Sequence, residues 1–257
     1  MAIPRCLQGL RPDRTLTMPD MIRIGMLTPS SNTVLEPLTY RIVSAAPEAI
    51  GVHFARFHVT TISSEPASTT QFALEPMVEA ARLLSEARVD VIVWNGTSGG
   101  WKGIEQDRQL VAAIEGELSI PATTGTLASL EALHALGAHR YGLVVPYVED
   151  IAAAIQGTFD REGFECVGAS HEGIVTNWDF STVAPETLAQ RCRTLAASGP
   201  DAIVIFCTNL AGAPVADQLE LELRVSIVDS VATCLWGAMR RVGDQTRIPG
   251  WGRLLSG

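Results

Sequence analysis

Two stretches of this chain end in residues that could do chemistry. "DAIVIFCTNLAG" (201–212) is an apolar run that stops at Cys207, with Thr208 and Asn209 behind it; "DVIVWNGTSGGW" (90–101) has the same shape, with Gly96 in the place of the cysteine, followed by Thr97 and Ser98. A cysteine thiol can attack carbon, or give or take a proton. Hydroxyls and free backbone N–H groups collected beside it suit an anion such as a carboxylate. Two further stretches of the same kind are "PSSN" (29–32), which holds Asn32, and "PY" (146–147), which holds Tyr147. Each residue also has an ordinary use: a lone cysteine packs as a small hydrophobe, Thr97 and Ser98 cap a helix, Tyr147 pads a core edge, and Asn32 serves its own loop. For Cys207 the position at a strand exit, among polar donors, favours chemistry. Cys192 and Cys234 fall in helix patterns, Cys166 in a strand and Cys6 near the start, and all four are read as inert.

The elements that must hold these residues follow from the apolar periodicity. Residues 22–28, 89–94, 141–145, 201–206 and 225–229 read as buried strands, while Leu74 to Leu84, Leu127 to Leu136 and Leu188 to Leu195 keep helical spacing. Strands with continuous apolar runs, alternating with helices, predict an α/β fold with parallel sheets covered on both faces. The strand-end pair is part of a longer repeat. "IGMLTPSS" (24–31) answers "YGLVVPYV" (141–148), and "LSIPATTGTLASL" (118–130) answers "LRVSIVDSVATCL" (223–235), so three blocks recur in order at offsets of 117, 111 and 105 residues. The expectation is two similar doubly wound lobes, 21–137 and 138–242, related by a pseudo-twofold axis, with the active-site cleft between them. Residues 1–20 are expected to be a flexible leader, and 243–257 a tail that packs back on the first lobe.

Composition sets the outer bounds. Apolar residues make up 47% of the 257, charged residues only 18%, and the net charge is −9 without basic blocks. That argues against a nucleic-acid or anionic-membrane partner, and no apolar run is long enough to span a bilayer. The low charge suggests that part of the surface is covered in a homo-oligomer. Five widely spaced cysteines form no CxxC and no pattern with the five histidines. Neither a metal site nor a disulfide frame is indicated, which suits the cytoplasm. No GxGxxG or GxxxxGK[ST] is present, so no nucleotide cofactor is expected.

At these same residues the chain resembles the Asp/Glu racemase superfamily, over about residues 21–255. "TPSSNT" (28–33) is similar to the opening of its maleate cis-trans isomerase branch; "NGTSGGW" and the ending "IPGWGRLL" (248–255) are similar to its arylmalonate decarboxylase branch. The racemases and isomerases carry a cysteine on each side of the pocket. Here the first position is Gly96, as in the decarboxylase, where one cysteine suffices. The resemblance implies a cofactor-independent decarboxylase of a substituted malonate. One carboxylate lodges among Thr97, Ser98, Tyr147 and Thr208, the other leaves as CO₂, and Cys207 protonates the enediolate. Asn95, Gly99 and the "CTNL" run depart from the decarboxylase pattern toward the isomerases, and Asn32 and Asn177 match asparagines that contact substrate in that branch. An isomerase or racemase of a small dicarboxylate therefore stands as the alternative, with a non-catalytic carboxylate-binding protein as a third.

Overall fold

In the computed structural model, residues 21–63, 65 and 70–257 are described; the expected leader, 1–20, lies outside them. The first part of the chain runs β1 (Ile22–Pro29), α1 (Leu35–Val43), β2 (Ile50–Phe57), α2 (Leu74–Glu86), β3 (Val91–Trp94), α3 (Gly99–Lys102), α4 (Ile104–Leu118), β4 (Ala122–Thr124) and α5 (Gly125–Ala135). The second runs β5 (Arg140–Val145), α6 (Glu149–Arg161), β6 (Glu165–His171), α7 (Pro185–Ala196), β7 (Ala202–Ile205), α8 (Ala213–Leu223), β8 (Ser226–Asp229), α9 (Ser230–Arg241) and a short α10 (Arg253–Ser256). Among the described residues the strands make two four-stranded parallel sheets, ordered β2-β1-β3-β4 and β6-β5-β7-β8. The same order appears twice, so this is a two-lobed, doubly wound α/β fold.

The central strands β3 and β7 are buried along their whole length, because helices cover both sheet faces and leave no polar side. The helices are amphipathic to match: α2 buries Met77, Val78, Ala81 and Leu84 and leaves Leu83 exposed. The repeat extends to the helix caps. Thr124 accepts from the Leu127 amide at the start of α5, and at the corresponding position Asp229 accepts from Val231 and Ala232 at the start of α9.

The lobes do not keep their helices to themselves. Val231, Ala232, Leu235 and Ala238 of α9 pack with Ile24, Met26, Val91 and Val93 of the first sheet. In the other direction, His134 of α5 lies 4.7 Å, ring to ring, from Phe164 beside the second sheet. Helices α5 and α9 cross closely, and a methyl group on Gly237 would come within 2.6 Å of Ala128 Cβ. The tail joins the same apolar layer through Ile248 and Leu255, and the Trp251 ring meets Arg41 of α1 at 5.5 Å. It is also tied to the second lobe, since the Arg253 amide donates to Glu220 and its guanidinium to Ser226. No helix among the described residues is long and apolar enough to cross a membrane.

Candidate active site

The parallel sheets direct the carboxyl ends of β1, β3, β5 and β7 toward one another, and the loops that leave these ends form a single cavity. Its walls are Pro29, Val59, Ile62, Phe72, Trp94, Gly96, Thr97, Ser98, Trp101, Tyr147, Asn177, Cys207 and Thr208. Of the residues singled out in the sequence, only Asn32 is missing from this lining, and it sits directly behind Thr208. The cavity measures about 20 Å³, room for one water, so admitting a diacid requires the walls to part.

Cys207 follows β7 by two residues and is 3% exposed. Burial pushes its thiol up to about 12, against the opposing pull of the Tyr147 hydroxyl and of the Asn209 and Leu210 amides near the sulfur. The Asn209 amide donates to Sγ at 3.4 Å. A thiol in these surroundings keeps its proton at neutral pH, yet donors wait to stabilise the thiolate once the proton has gone. Tyr147 is likewise held neutral, raised well above its ordinary value chiefly by burial.

The cavity that holds the sulfur also holds a set of donors. The Thr97 and Tyr147 hydroxyl oxygens are 2.9 Å apart. One hydrogen serves that bond, and the Tyr147 hydroxyl also lies within reach of the Cys207 sulfur, so a ligand oxygen competes with the sulfur for the hydrogen that remains. Ser98 Oγ accepts from Trp94 Nε1 at 3.3 Å and caps nothing, so its hydrogen is also available. Among the described residues, no acceptor takes the amide hydrogens of Thr97, Ser98, Cys207 or Thr208. No charged side chain among the described residues lines the cavity. An anion here would be held by neutral dipoles from both strand ends, in the manner of an oxyanion hole.

Three of the sequence candidates do different work. The Thr208 hydroxyl donates to the Asn95 carbonyl at 2.9 Å and accepts from Asn32 Nδ2 at 3.2 Å. It is fully committed, and only its amide is left for a ligand. Asn32 Oδ1 accepts from the Val34 and Leu35 amides and so starts α1. Asn177 donates to Ser31 Oγ at 2.7 Å, and its carbonyl accepts from Asn209 Nδ2. The Thr208–Asn95, Asn32–Thr208 and Asn177–Ser31 bonds join the two lobes beside the cavity.

Sequence reasoning named Asn209 beside Cys207 without giving it a role, and passed over the other residues that complete this arrangement. Asn209 Oδ1 accepts from the Thr33 and Val34 amides of the first lobe, at 3.0 and 3.1 Å. Its partners come from segments far apart in sequence, which periodicity cannot reveal. The apolar side is built by Val59, Ile62, Phe72, Trp94 and Trp101, with Trp101 at 5.1 Å from Tyr147 and 6.0 Å from Phe72 between ring centres. The glycines of "NGTSGG" are explained by space. A methyl on Gly99 would meet the buried Asp107 carboxyl at 2.5 Å, and one on Gly100 would meet Phe206 at 2.5 Å. Gly99 thus packs on Asp107, and the apolar wall comes from elsewhere. The space beside Gly96 is not empty either, because an added Cβ would lie 2.0 Å from the Trp94 indole. The signal for Trp94 was its place two residues before Gly96, since strand residues two apart share a face.

A family model for arylmalonate decarboxylase matches residues 44–255. This chain belongs to that family. It is 28% identical over 185 residues to arylmalonate decarboxylase of Bordetella bronchiseptica, covering 70% of this chain and 77% of that protein. It is 22% identical over 247 residues to maleate isomerase of Alcaligenes faecalis, covering 91% and 96%. In structure it is similar to a cysteine-to-serine variant of Nocardia farcinica maleate cis-trans isomerase that carries a covalently bound succinylcysteine intermediate. There the TM-score is 0.81 at 23% identity, over 92% of this chain and 98% of the other. The arylmalonate decarboxylase family lies within the Asp/Glu racemase superfamily, and this chain is an enzyme of the lyase or isomerase kind found there.

Proposed function

We propose that this protein decarboxylates a substituted malonate without a cofactor and protonates the product from one side. The observation that carries the reading is a neutral thiol, Cys207, lining a cavity with Gly96, where an indole fills the space that a side chain would take. One carboxylate of the substrate is held by Thr97, Ser98, Tyr147 and the amides at the two strand ends. The other faces Val59, Ile62, Phe72, Trp94 and Trp101, where a charge is poorly solvated and its loss as CO₂ is favoured. The C–C bond breaks, its electron pair stays on the α-carbon, and the charge spreads into the retained carboxylate as an enediolate. The donors that gain most at that moment are those fixed in advance around the oxygens. Cys207 then gives its proton to the α-carbon, and the thiolate, solvated by the Asn209 and Leu210 amides, recovers one from water.

Phenylmalonate and smaller substituted malonates, incubated with the enzyme and followed by CO₂ release, test the reading. Turnover of at least one is expected, and inertness across the panel rejects it. Isomerisation of a small dicarboxylate is the second reading, favoured by "TPSSNT" and by the buried Asn32 and Asn177 beside the cavity. Among the described residues, no second thiol lines the cavity for it. Proton NMR of maleate with enzyme distinguishes the two, since fumarate appears only if the second holds.

A further inference from the structure

One wall of the cavity that holds Cys207 is a particular side chain, held in place by its neighbours. Trp94 is 1% exposed, its ring centre lies 4.9 Å from that of Phe57, and its Nε1 donates to Ser98. A Cβ placed on Gly96 would fall 2.0, 2.2 and 2.7 Å from Cζ2, Cε2 and Cη2 of the indole, distances that atoms of a folded protein do not adopt. Both residues line the cavity with Cys207. We propose that Trp94 is a specificity-determining residue: its indole occupies the room that any side chain at position 96 would need and shields the face of the bound intermediate that Cys207 does not reach. The stereochemical half of this proposal rests on the decarboxylase reading; the steric half does not.

Two consequences follow. A second acid or base cannot be added at position 96 by a single exchange, because the indole would have to leave a packed site. Shortening Trp94 should open a path for water to the second face, so that protonation is no longer confined to the thiol side.

The steric half is tested by a thermal-denaturation cycle of wild type, G96A, W94V and W94V/G96A. In the native background the added methyl should lower Tm by on the order of 5 °C; in the W94V background it should cost nothing or restore part of the loss. An equal effect in both backgrounds, or none in either, overturns the proposal. The stereochemical half is read from a prochiral disubstituted malonate. Wild type should give one enantiomer, W94V a lower enantiomeric excess, and W94V/G96C should exchange the α-hydrogen of the product for deuterium in D₂O. In that exchange the introduced thiolate takes the α-hydrogen as a proton and Cys207 returns a deuteron. Unchanged enantiomeric excess in W94V, together with no exchange above wild type in the double variant, overturns the shielding role. If wild type releases CO₂ from no malonate, the proposed function falls, while the Tm cycle still decides whether Trp94 forms the wall.

Discussion

Cys207 can act as an acid because burial works against its ionisation. With the thiol pushed up to about 12, it stays protonated through the neutral range, and the rate of the protonation step should show no thiol-dependent fall between about pH 6 and 9. Cys207→Ser keeps the size of the side chain and replaces a transferable proton with a far weaker acid. We expect kcat for decarboxylation to fall by roughly 10²- to 10⁴-fold with Tm nearly unchanged, measured by CO₂ release and calorimetry on the same sample. Tyr147→Phe removes one donor to the developing enediolate and the partner of Thr97. A loss of about 10²- to 10³-fold in kcat, exceeding any change in KM, is expected for a donor that matters most in the transition state. At this scale the sequence disclosed residue types well and their engagements poorly. Thr97, Ser98, Tyr147 and Cys207 were legible because strand exits collect ligand contacts in parallel sheets. That the Thr208 hydroxyl is used up between Asn95 and Asn32 was not, because both partners come from the other lobe.

The elements carry a pH dependence of their own. Asp107, in the first turn of α4, is fully buried against Gly99 and accepts from Thr124; burial raises its carboxyl to about 6, despite the Thr124 hydroxyl. Asp229 is raised to about 7 by burial. Its Oδ1 caps α9; its Oδ2 makes no full hydrogen bond, although the Gly212 and Ala213 amides favour its charge. An unfolded aspartate titrates near 3.9, so between about pH 4 and 7 the folded chain binds more protons than the unfolded one. The stability these groups lend is therefore full below about pH 4 and lost as pH rises through 6 and 7. Asp107→Asn should flatten this decline and raise stability at pH 8 by on the order of 1–3 kcal/mol, with little change at pH 4, as read from urea unfolding at the two pH values. The strands and most of the α/β rhythm could be read directly, since a doubly covered strand must be apolar throughout. Short β4, only Ala122–Thr124, emerged only through its likeness to β8.

For the molecule as a whole, the repeat in the sequence revealed two lobes of one strand order, but not the crossing of α9 onto the first sheet, since periodicity shows that a helix has an apolar face and not which sheet will receive it. The cavity depends on how the lobes are locked. Asn209 accepts from two amides at the start of α1, sharing that of Val34 with Asn32, and reaches the Asn177 carbonyl. Asn209→Ala strands the Thr33 amide and the Asn177 carbonyl, while the Val34 amide keeps Asn32 Oδ1; the change should cost roughly 2 kcal/mol, with KM rising as the lobes lose register, measured by urea unfolding and steady-state kinetics. A fragment of residues 21–137 should give a poorly dispersed amide NMR spectrum, and adding the remaining residues as a second chain should restore a folded one. The reason is that Ile24, Met26, Val91 and Val93 meet Val231, Leu235 and Ala238 across the lobe boundary. That crossing also sets a timetable during synthesis. The half made first emerges from the ribosome with an oily flank whose cover, α9, is encoded near the far end of the second half, and it must wait for almost the whole remaining message to be translated. Such a nascent chain invites chaperone binding, and the pace of translation through the second half decides how long that flank stays bare.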